Sequence, residues 1–123
     1  MSRAPPSVLV VEDEGLIRMA TVDFLTDEGF LVFEAQNADE AIRILESNSD
    51  IHLLFTDIDM PGSMDGLKLS AAVRDRWPPV QIVVTSGHRA INANDLPEGS
   101  LFFTKPYRHA DLVSSFRKMI NGN

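Results

Sequence analysis

Side chains that could perform chemistry follow four apolar runs of the sequence, each at the point where the run ends. They are Glu12, Asp13, Asp57, Thr85 and Lys105. Three carboxylates held together repel one another unless a cation lies between them, and hard oxygen ligands of this kind suit Mg²⁺. A hydroxyl and an ammonium beside them could hold phosphoryl oxygens, and a carboxylate could accept the phosphoryl group as a nucleophile. If these residues meet in space, they describe a magnesium-dependent phosphoryl site.

The elements that must bring them together are β-prone runs that alternate with segments of helical periodicity. We expect strands at residues 7–11, 31–33, 51–56, 80–84 and 101–103. We expect helices over residues 67–77 and over the apolar stripes whose first members are Ile17, Ala38 and Leu112. Asn37 with Glu40 three residues later is typical of a helix start. Strands alternating with helices imply a parallel sheet covered on both faces.

This pattern predicts a flavodoxin-like, doubly wound α/β fold with a five-stranded parallel sheet in the order 2-1-3-4-5. The carboxyl ends of parallel strands meet at one edge, so all five polar residues would gather there. We expect residues 1–123 to form one domain. Residues 88–99 have few apolar positions and end any helix at Pro97, so the fourth helix of such a fold should be short or irregular, with at most about two turns.

The composition argues against several classes of function. A net charge of −7 and a pI near 4.8 argue against nucleic-acid binding, which needs a basic face. The chain has no cysteine, and therefore neither disulfides nor thiolate chemistry. No run approaches the ~20 apolar residues of a membrane span, and the N-terminus has no apolar signal core. We expect a cytoplasmic protein.

In these residues the chain resembles the receiver domain of two-component response regulators, of the single-domain, chemotaxis-regulator-like type. The resemblance covers essentially the whole length. Its motifs occur in the family's order and are the pair Glu12-Asp13, residues 57–61 (Asp-Ile-Asp-Met-Pro), Asp65-Gly66, Thr85 and Lys105-Pro106.

The resemblance implies a role for each of these residues. Asp57 would be the phosphoacceptor, and Mg²⁺ would be bound by Asp13, Asp57 and the backbone carbonyl of Asp59, with Glu12 acting near the metal through water. Thr85 and Lys105 would hold the phosphoryl oxygens. Phe102 falls at the family's aromatic switch position, and Pro106 would follow a cis peptide bond. The phosphoryl group would come from a sensor histidine kinase or a histidine phosphotransfer protein, and the signal would pass to a downstream protein.

The chain departs from the common family pattern at three places. The acidic pair is Glu-Asp where Asp-Asp is more frequent, and the loop at residues 61–66 is one residue longer than usual. Phe102 stands where Tyr is frequent and carries no hydroxyl for a partner to contact. A core phenylalanine at this position is the alternative interpretation.

Several other functions fit parts of the pattern. Residues 57–59 also resemble the nucleophile motif of haloacid-dehalogenase-like phosphatases, although there the nucleophile lies on the first strand. A receiver that binds partners without phosphorylation, or a receiver excised from a larger hybrid kinase, would keep the same fold. On the receiver interpretation the chain is no enzyme, but a phosphoacceptor that assists its own phosphorylation and dephosphorylation.

Overall fold

Five strands and four α-helices alternate along the chain in a computed structural model that describes residues 4–62, 64–87 and 92–121. The strands are β1 (Ser7–Val11), β2 (Leu31–Ala35), β3 (Leu53–Asp57), β4 (Gln81–Ser86) and β5 (Leu101–Thr104). The helices are α1 (Gly15–Asp27), α2 (Ala38–Ser47), α3 (Gly66–Arg76) and α4 (His109–Asn121). Every expected strand and helix outside residues 88–99 is present.

The strands form one parallel sheet in the order β2-β1-β3-β4-β5, which confirms the predicted doubly wound fold. β1 and β3 are buried along their whole length because helices cover both faces of the sheet. The β3–β4 register places Asp57 directly beside Thr85, and the β1–β3 register pairs Val11 with Thr56. These registers bring the polar strand ends to a single edge.

Side chains that precede α2 and α3 fix where these helices begin. Asn37 accepts a hydrogen bond from the Glu40 N–H at 2.9 Å, and Asp65 accepts one from the Lys68 N–H at 3.0 Å. The capping box expected at Asn37 is altered, because the Glu40 carboxylate accepts the N–H of Gln36 instead of that of Asn37. The Asp65 cap is important for the site because it starts α3 immediately after the loop that leaves β3.

Two apolar clusters, one for each face of the sheet, make up the core. One contains Leu9, Leu54 and Ile82 with the buried residues of α2 and α3, and the other contains Val10, Phe55 and Phe116 with Leu25 of α1. Together they hold β1, β3 and β4 rigidly from both sides, so the ends of these strands are fixed points.

The β4–β5 connection agrees with the expected irregularity over the part that is described. Residues 92–100 contain one short 3₁₀ turn, Ala93–Asp95, while residues 88–91 lie outside the described residues. Leu96 packs against the core, and Arg74 donates a hydrogen bond to the Glu98 carbonyl at 3.1 Å. None of the helices in the described ranges combines the length and apolar content that crossing a bilayer requires.

Candidate functional site

The acidic residues predicted from the sequence meet at the carboxyl edge of the sheet. Carboxylate oxygens of Glu12, Asp13 and Asp57 lie within 4.8 Å of one another. Glu12 and Asp57 are 3% and 4% exposed, whereas Asp13 is half-buried at the rim. Two buried carboxylates beside a third are costly unless positive charge reaches them.

Lys105 supplies positive charge from the end of β5. Its Nζ donates to Asp57 Oδ2 at 2.8 Å and to Glu12 Oε1 at 3.1 Å. Burial lowers the pKa of Lys105, but the hydrogen bonds to both carboxylates outweigh burial and raise that pKa above its ordinary value. Lys105 is therefore a fixed cation beside the proposed phosphoacceptor at every physiological pH.

Burial strongly perturbs the carboxyl group of Glu12. Burial raises its pKa from 4.5 to about 7, and the charge of Asp57 adds to the increase. The Glu14 N–H, which donates to Glu12 Oε2 at 3.1 Å, and the Lys105 ammonium lower the pKa without cancelling the effect of burial. The protein alone therefore does not neutralise this cluster, and a divalent cation would stabilise its charged form.

Thr85 lies on the strand beside Asp57 with its hydroxyl unsatisfied. The residue is 1% exposed, and no group in the described ranges forms a hydrogen bond with its Oγ1. Its backbone is engaged, since the Thr85 carbonyl accepts the Ile58 N–H at 2.8 Å. Leaving a buried hydroxyl without a hydrogen-bond partner costs about 1–3 kcal/mol of stability. A ligand that forms a hydrogen bond with the Thr85 hydroxyl would explain why such a group is present.

The loop that leaves β3 is tightly folded against the site. The Asp59 N–H donates to Asp57 Oδ1 at 3.0 Å, and Gly66 donates its N–H to the Ile58 carbonyl at 3.0 Å. Ser86 donates from Oγ to Asp59 Oδ2 at 2.5 Å. Both oxygens of Asp57 are thus oriented, one by Asp59 and the other by Lys105.

Two further predicted residues lie close to β5. The Lys105–Pro106 peptide bond is cis. Phe102 is half-buried and packs against the core cluster that contains Ile82. A half-buried ring is compatible with both interpretations of Phe102, so its role as a switch stays a prediction.

A cavity of about 620 Å³ opens beside Asp57. Its acidic wall includes Asp13, Asp57 and Asp59, with Gly87 and Lys105 beside them. Its other wall is mainly apolar and comprises Leu16, Ile17, Ala20, Pro106, Tyr107 and His109. The acidic wall could bind a charged reacting group, and the apolar wall could contact the molecule that carries this group.

Sequence reasoning missed two contributors to this site. Tyr107 anchors the loop after β5, because its ring packs edge-on against Phe55 at 5.5 Å and its hydroxyl lies 3.3 Å from Thr21 Oγ1. Ser86 contacts Asp59 across the edge. One indication for each residue was available in the sequence, because Tyr107 directly follows Lys105-Pro106 and Ser86 directly follows Thr85.

The donor set fits Mg²⁺. Two or three carboxylates at an otherwise solvent-open rim match a hard cation that keeps several waters and shares a phosphate oxygen. Asp13 and Asp57 would hold the ion with Glu12 beside them, since their oxygens already converge. The ion would supply charge neutralisation for a phosphoryl group arriving at Asp57.

Comparisons with known proteins agree with this geometry. A family profile described as response regulator receiver domain matches residues 8–117. The response regulator receiver protein CpdR of Brucella abortus (strain 2308) is 31% identical over 116 residues, which cover 92% of this chain and 95% of that protein. A crystal structure of a response regulator receiver protein from Sinorhizobium medicae WSM419 has a TM-score of 0.89 and 30% identity, with 98% of each chain covered.

Other relatives are much longer than this chain. The sensor kinase CckA of Brucella abortus (strain 2308) is 31% identical over 118 residues, and the matched part spans only 12% of that protein. These matches give no support to the alternative of a haloacid-dehalogenase-like phosphatase. The chain belongs to the response regulator receiver domain family, whose members serve in phosphorylation-dependent two-component signalling.

Proposed function

We propose that Asp57 accepts a phosphoryl group, with Mg²⁺ at the adjacent acidic cluster, from a phosphohistidine on a sensor histidine kinase or a histidine phosphotransfer protein. The observation that carries this proposal is the buried hydroxyl of Thr85, which has no hydrogen-bond partner in the part of the chain that the structure describes. It lies beside the buried carboxylate of Asp57, which also contacts the Lys105 ammonium. A phosphoryl group on Asp57 would satisfy both donors at once.

The transfer itself needs little covalent chemistry from the protein. A carboxylate oxygen of Asp57 forms a bond to phosphorus while the phosphorus–nitrogen bond of the donor breaks, and the imidazole leaves with the electron pair. Lys105 and Thr85 contact the phosphoryl oxygens as charge accumulates on them. The main contribution of the chain is that its donors are already in place before the phosphoryl group arrives.

The apolar wall of the cavity supports a protein as the donor. Leu16 and Met19 of α1 are 83% and 60% exposed, and Leu16 belongs to the wall that also includes Tyr107 and His109. Leu16 and Met19 are one helical turn apart, and contiguous exposed apolar surface beside a reactive residue favours contact with a macromolecule. A helix of the donor seated on α1 would bring its phosphohistidine to Asp57.

The remaining assignments follow from this role. We propose that residues 1–123 form one receiver unit, that Asp59 offers its backbone carbonyl to the metal, and that Phe102 reports phosphorylation to a downstream protein. The chain is then a phosphoacceptor rather than an enzyme acting on a separate substrate. A cytoplasmic location is proposed because the phosphohistidine of the donor is made from cytoplasmic ATP.

Phosphotransfer from a panel of phosphorylated kinases tests the proposal. One phosphoryl group per chain should be transferred in the presence of Mg²⁺, and the fastest donor identifies the cognate class. Thr85→Val, which removes the hydroxyl but keeps the shape, should slow transfer, whereas Thr85→Ser should retain most of the rate. Equal transfer rates for the two variants would show that the Thr85 hydroxyl does not contact the phosphoryl group, and would contradict the proposal.

A further inference from the structure

A fourth carboxylate lies close to the proposed cation site without joining it. The Asp59 N–H contacts Asp57 Oδ1 at 3.0 Å, and Asp59 lines the same cavity as Asp13 and Asp57. Yet the carboxylates in the described ranges that converge closely enough to share a cation are those of Glu12, Asp13 and Asp57. The Asp59 side chain is directed elsewhere.

Ser86 holds that side chain toward β4. Its Oγ donates to Asp59 Oδ2 at 2.5 Å, the length of a strong hydrogen bond from a hydroxyl to a carboxylate. Ser86 is 1% exposed and is the last residue of β4, and its carbonyl accepts the Lys105 N–H at 3.0 Å. The pairing of β4 with β5 therefore holds Ser86 in a rigid position. From that position its hydroxyl restrains the Asp59 carboxylate.

The number of carboxylates that reach a cation affects which cation is preferred. Mg²⁺ keeps several waters and binds one or two carboxylates in a strict octahedron, whereas Ca²⁺ accepts six to eight oxygens in a flexible shell. An added carboxylate therefore favours Ca²⁺ more than Mg²⁺. A side chain that withholds a carboxylate from the site would shift the preference toward Mg²⁺.

We infer that Ser86 is a specificity-determining residue for this site, because its hydroxyl keeps the Asp59 carboxylate away from the cation and so favours Mg²⁺ over Ca²⁺. The inference rests on the proposed function, since it concerns the same metal site. Ser86 acts through Asp59 and does not itself contact the ion.

Cation titrations followed by calorimetry or by amide chemical shifts test the inference without any phosphorylation. We measure the dissociation constants for Mg²⁺ and for Ca²⁺ in the wild type and in Ser86→Ala. The ratio of Ca²⁺ affinity to Mg²⁺ affinity should rise at least about fivefold in Ser86→Ala, because the Asp59 carboxylate, without the Ser86 hydrogen bond, can turn toward the larger ion. In Asp59→Asn, the Ser86→Ala change should leave the ratio unaltered.

A matched control removes a buried hydroxyl at the opposite end of the sheet. Ser7 is 3% exposed, and its Oγ donates to the Asp50 carbonyl at 2.7 Å. Ser7→Ala should destabilise the fold without changing the cation ratio. Circular dichroism of each variant shows whether it is folded.

The possible outcomes separate this inference from the proposed function. A wild type that binds neither cation would contradict the proposed metal site. A wild type that binds Mg²⁺ while Ser86→Ala keeps the same ratio would overturn the role of Ser86 alone. An equal change in the Asp59→Asn background would also overturn it, since the effect would not pass through the carboxylate.

Discussion

Gly66 is the residue at which a single methyl group should damage both the fold and the site. A Cβ at this position would lie 2.7 Å from Ile58 Cα and 2.8 Å from the Asp57 carbonyl carbon, and closer still to the Asp57 oxygen. Real Cβ atoms essentially never approach other atoms within 3.0 Å. Because all three neighbours are backbone, either α3 or the end of β3 must move.

The magnitude follows from the two opposing effects of Gly66→Ala. Overpacking against a rigid core costs about 1–3 kcal/mol, and backbone neighbours place this site at the upper end. The lower conformational entropy of alanine in the unfolded chain offsets about 0.4–1 kcal/mol. We therefore expect Gly66→Ala to lower the free energy of unfolding by about 2 kcal/mol, and to slow phosphorylation because the displaced backbone carries Asp57.

Gly15 provides the matched control. Gly15 and Gly66 are each the first residue of a helix, but a Cβ at Gly15 would meet only Arg18 Nη2, at 3.9 Å. Gly15→Ala should leave stability unchanged or raise it by up to about 1 kcal/mol.

The assay is urea denaturation followed by the fluorescence of Trp77, the single tryptophan, which packs against the core beside α3. With a typical slope of about 1–3 kcal/mol per molar urea, the two midpoints should differ by about 1 M. Equal midpoints for the two variants would refute the close approach of Gly66 to β3.

Three further predictions concern pH, phosphoryl lifetime and ordering. The pKa of Glu12 is about 7 in the folded protein and 4.5 in a free chain. The protonated side chain therefore contributes to stability fully below pH 4.5, and this contribution is lost as the pH rises through 7. In metal-free protein, Glu12→Gln should be more stable than the wild type by about 1–3 kcal/mol at pH 8 and equally stable at pH 4, and a pH-independent difference in thermal unfolding would contradict this. A Cβ at Gly87 would pack 3.4 Å from Lys105 Cβ, so the longer side chain of Gly87→Glu should screen the acyl phosphate from water and slow its hydrolysis. Gly87→Gln separates the effect of side-chain size from that of charge. If the hydrolysis rate is unchanged in both variants, residue 87 does not control the phosphoryl lifetime. Amide hydrogen exchange over residues 92–99 should slow when a phosphoryl mimic occupies the site, because the only regular structure described within this segment is one 3₁₀ turn. Strong protection that the mimic leaves unchanged would reject an ordering switch.

The fold was predictable because its strands are apolar runs bounded by clear breaks. The run at residues 7–11 became β1 without error, and the polar residues at the ends of β1, β3, β4 and β5 marked the edge of the sheet. The inward faces of the helices were harder to predict. In α1 the i, i+3, i+4, i+7 spacing of Ile17, Ala20, Thr21 and Phe24 predicts an inward face. Ala20 is nevertheless exposed, and Leu25, which lies outside that pattern, is buried. The reason is that Ile17 and Ala20 line the open cavity rather than the core.

The site was predictable in its membership but not in its internal contacts. Asp57 and Thr85 could be placed together from strand order alone. The contacts within the site depend on the directions of side chains from different elements. They include the hydrogen bond from Lys105 to Glu12, that from Ser86 to Asp59, and the contact between Tyr107 and Thr21. Spacing along the sequence has no information on such contacts until the register of the sheet is known.

The central claim is that Asp57 is the residue that carries the phosphoryl group. Reductive trapping with borohydride, which converts a phosphorylated aspartate to homoserine, locates the modified residue by tandem mass spectrometry after treatment with a small acyl-phosphate donor. We predict homoserine at residue 57 alone when Mg²⁺ is present, and none in Asp57→Asn or after the metal is chelated. Homoserine at Asp13 or Asp59 in the wild type, or modification of Asp57 without any divalent cation, would contradict the account.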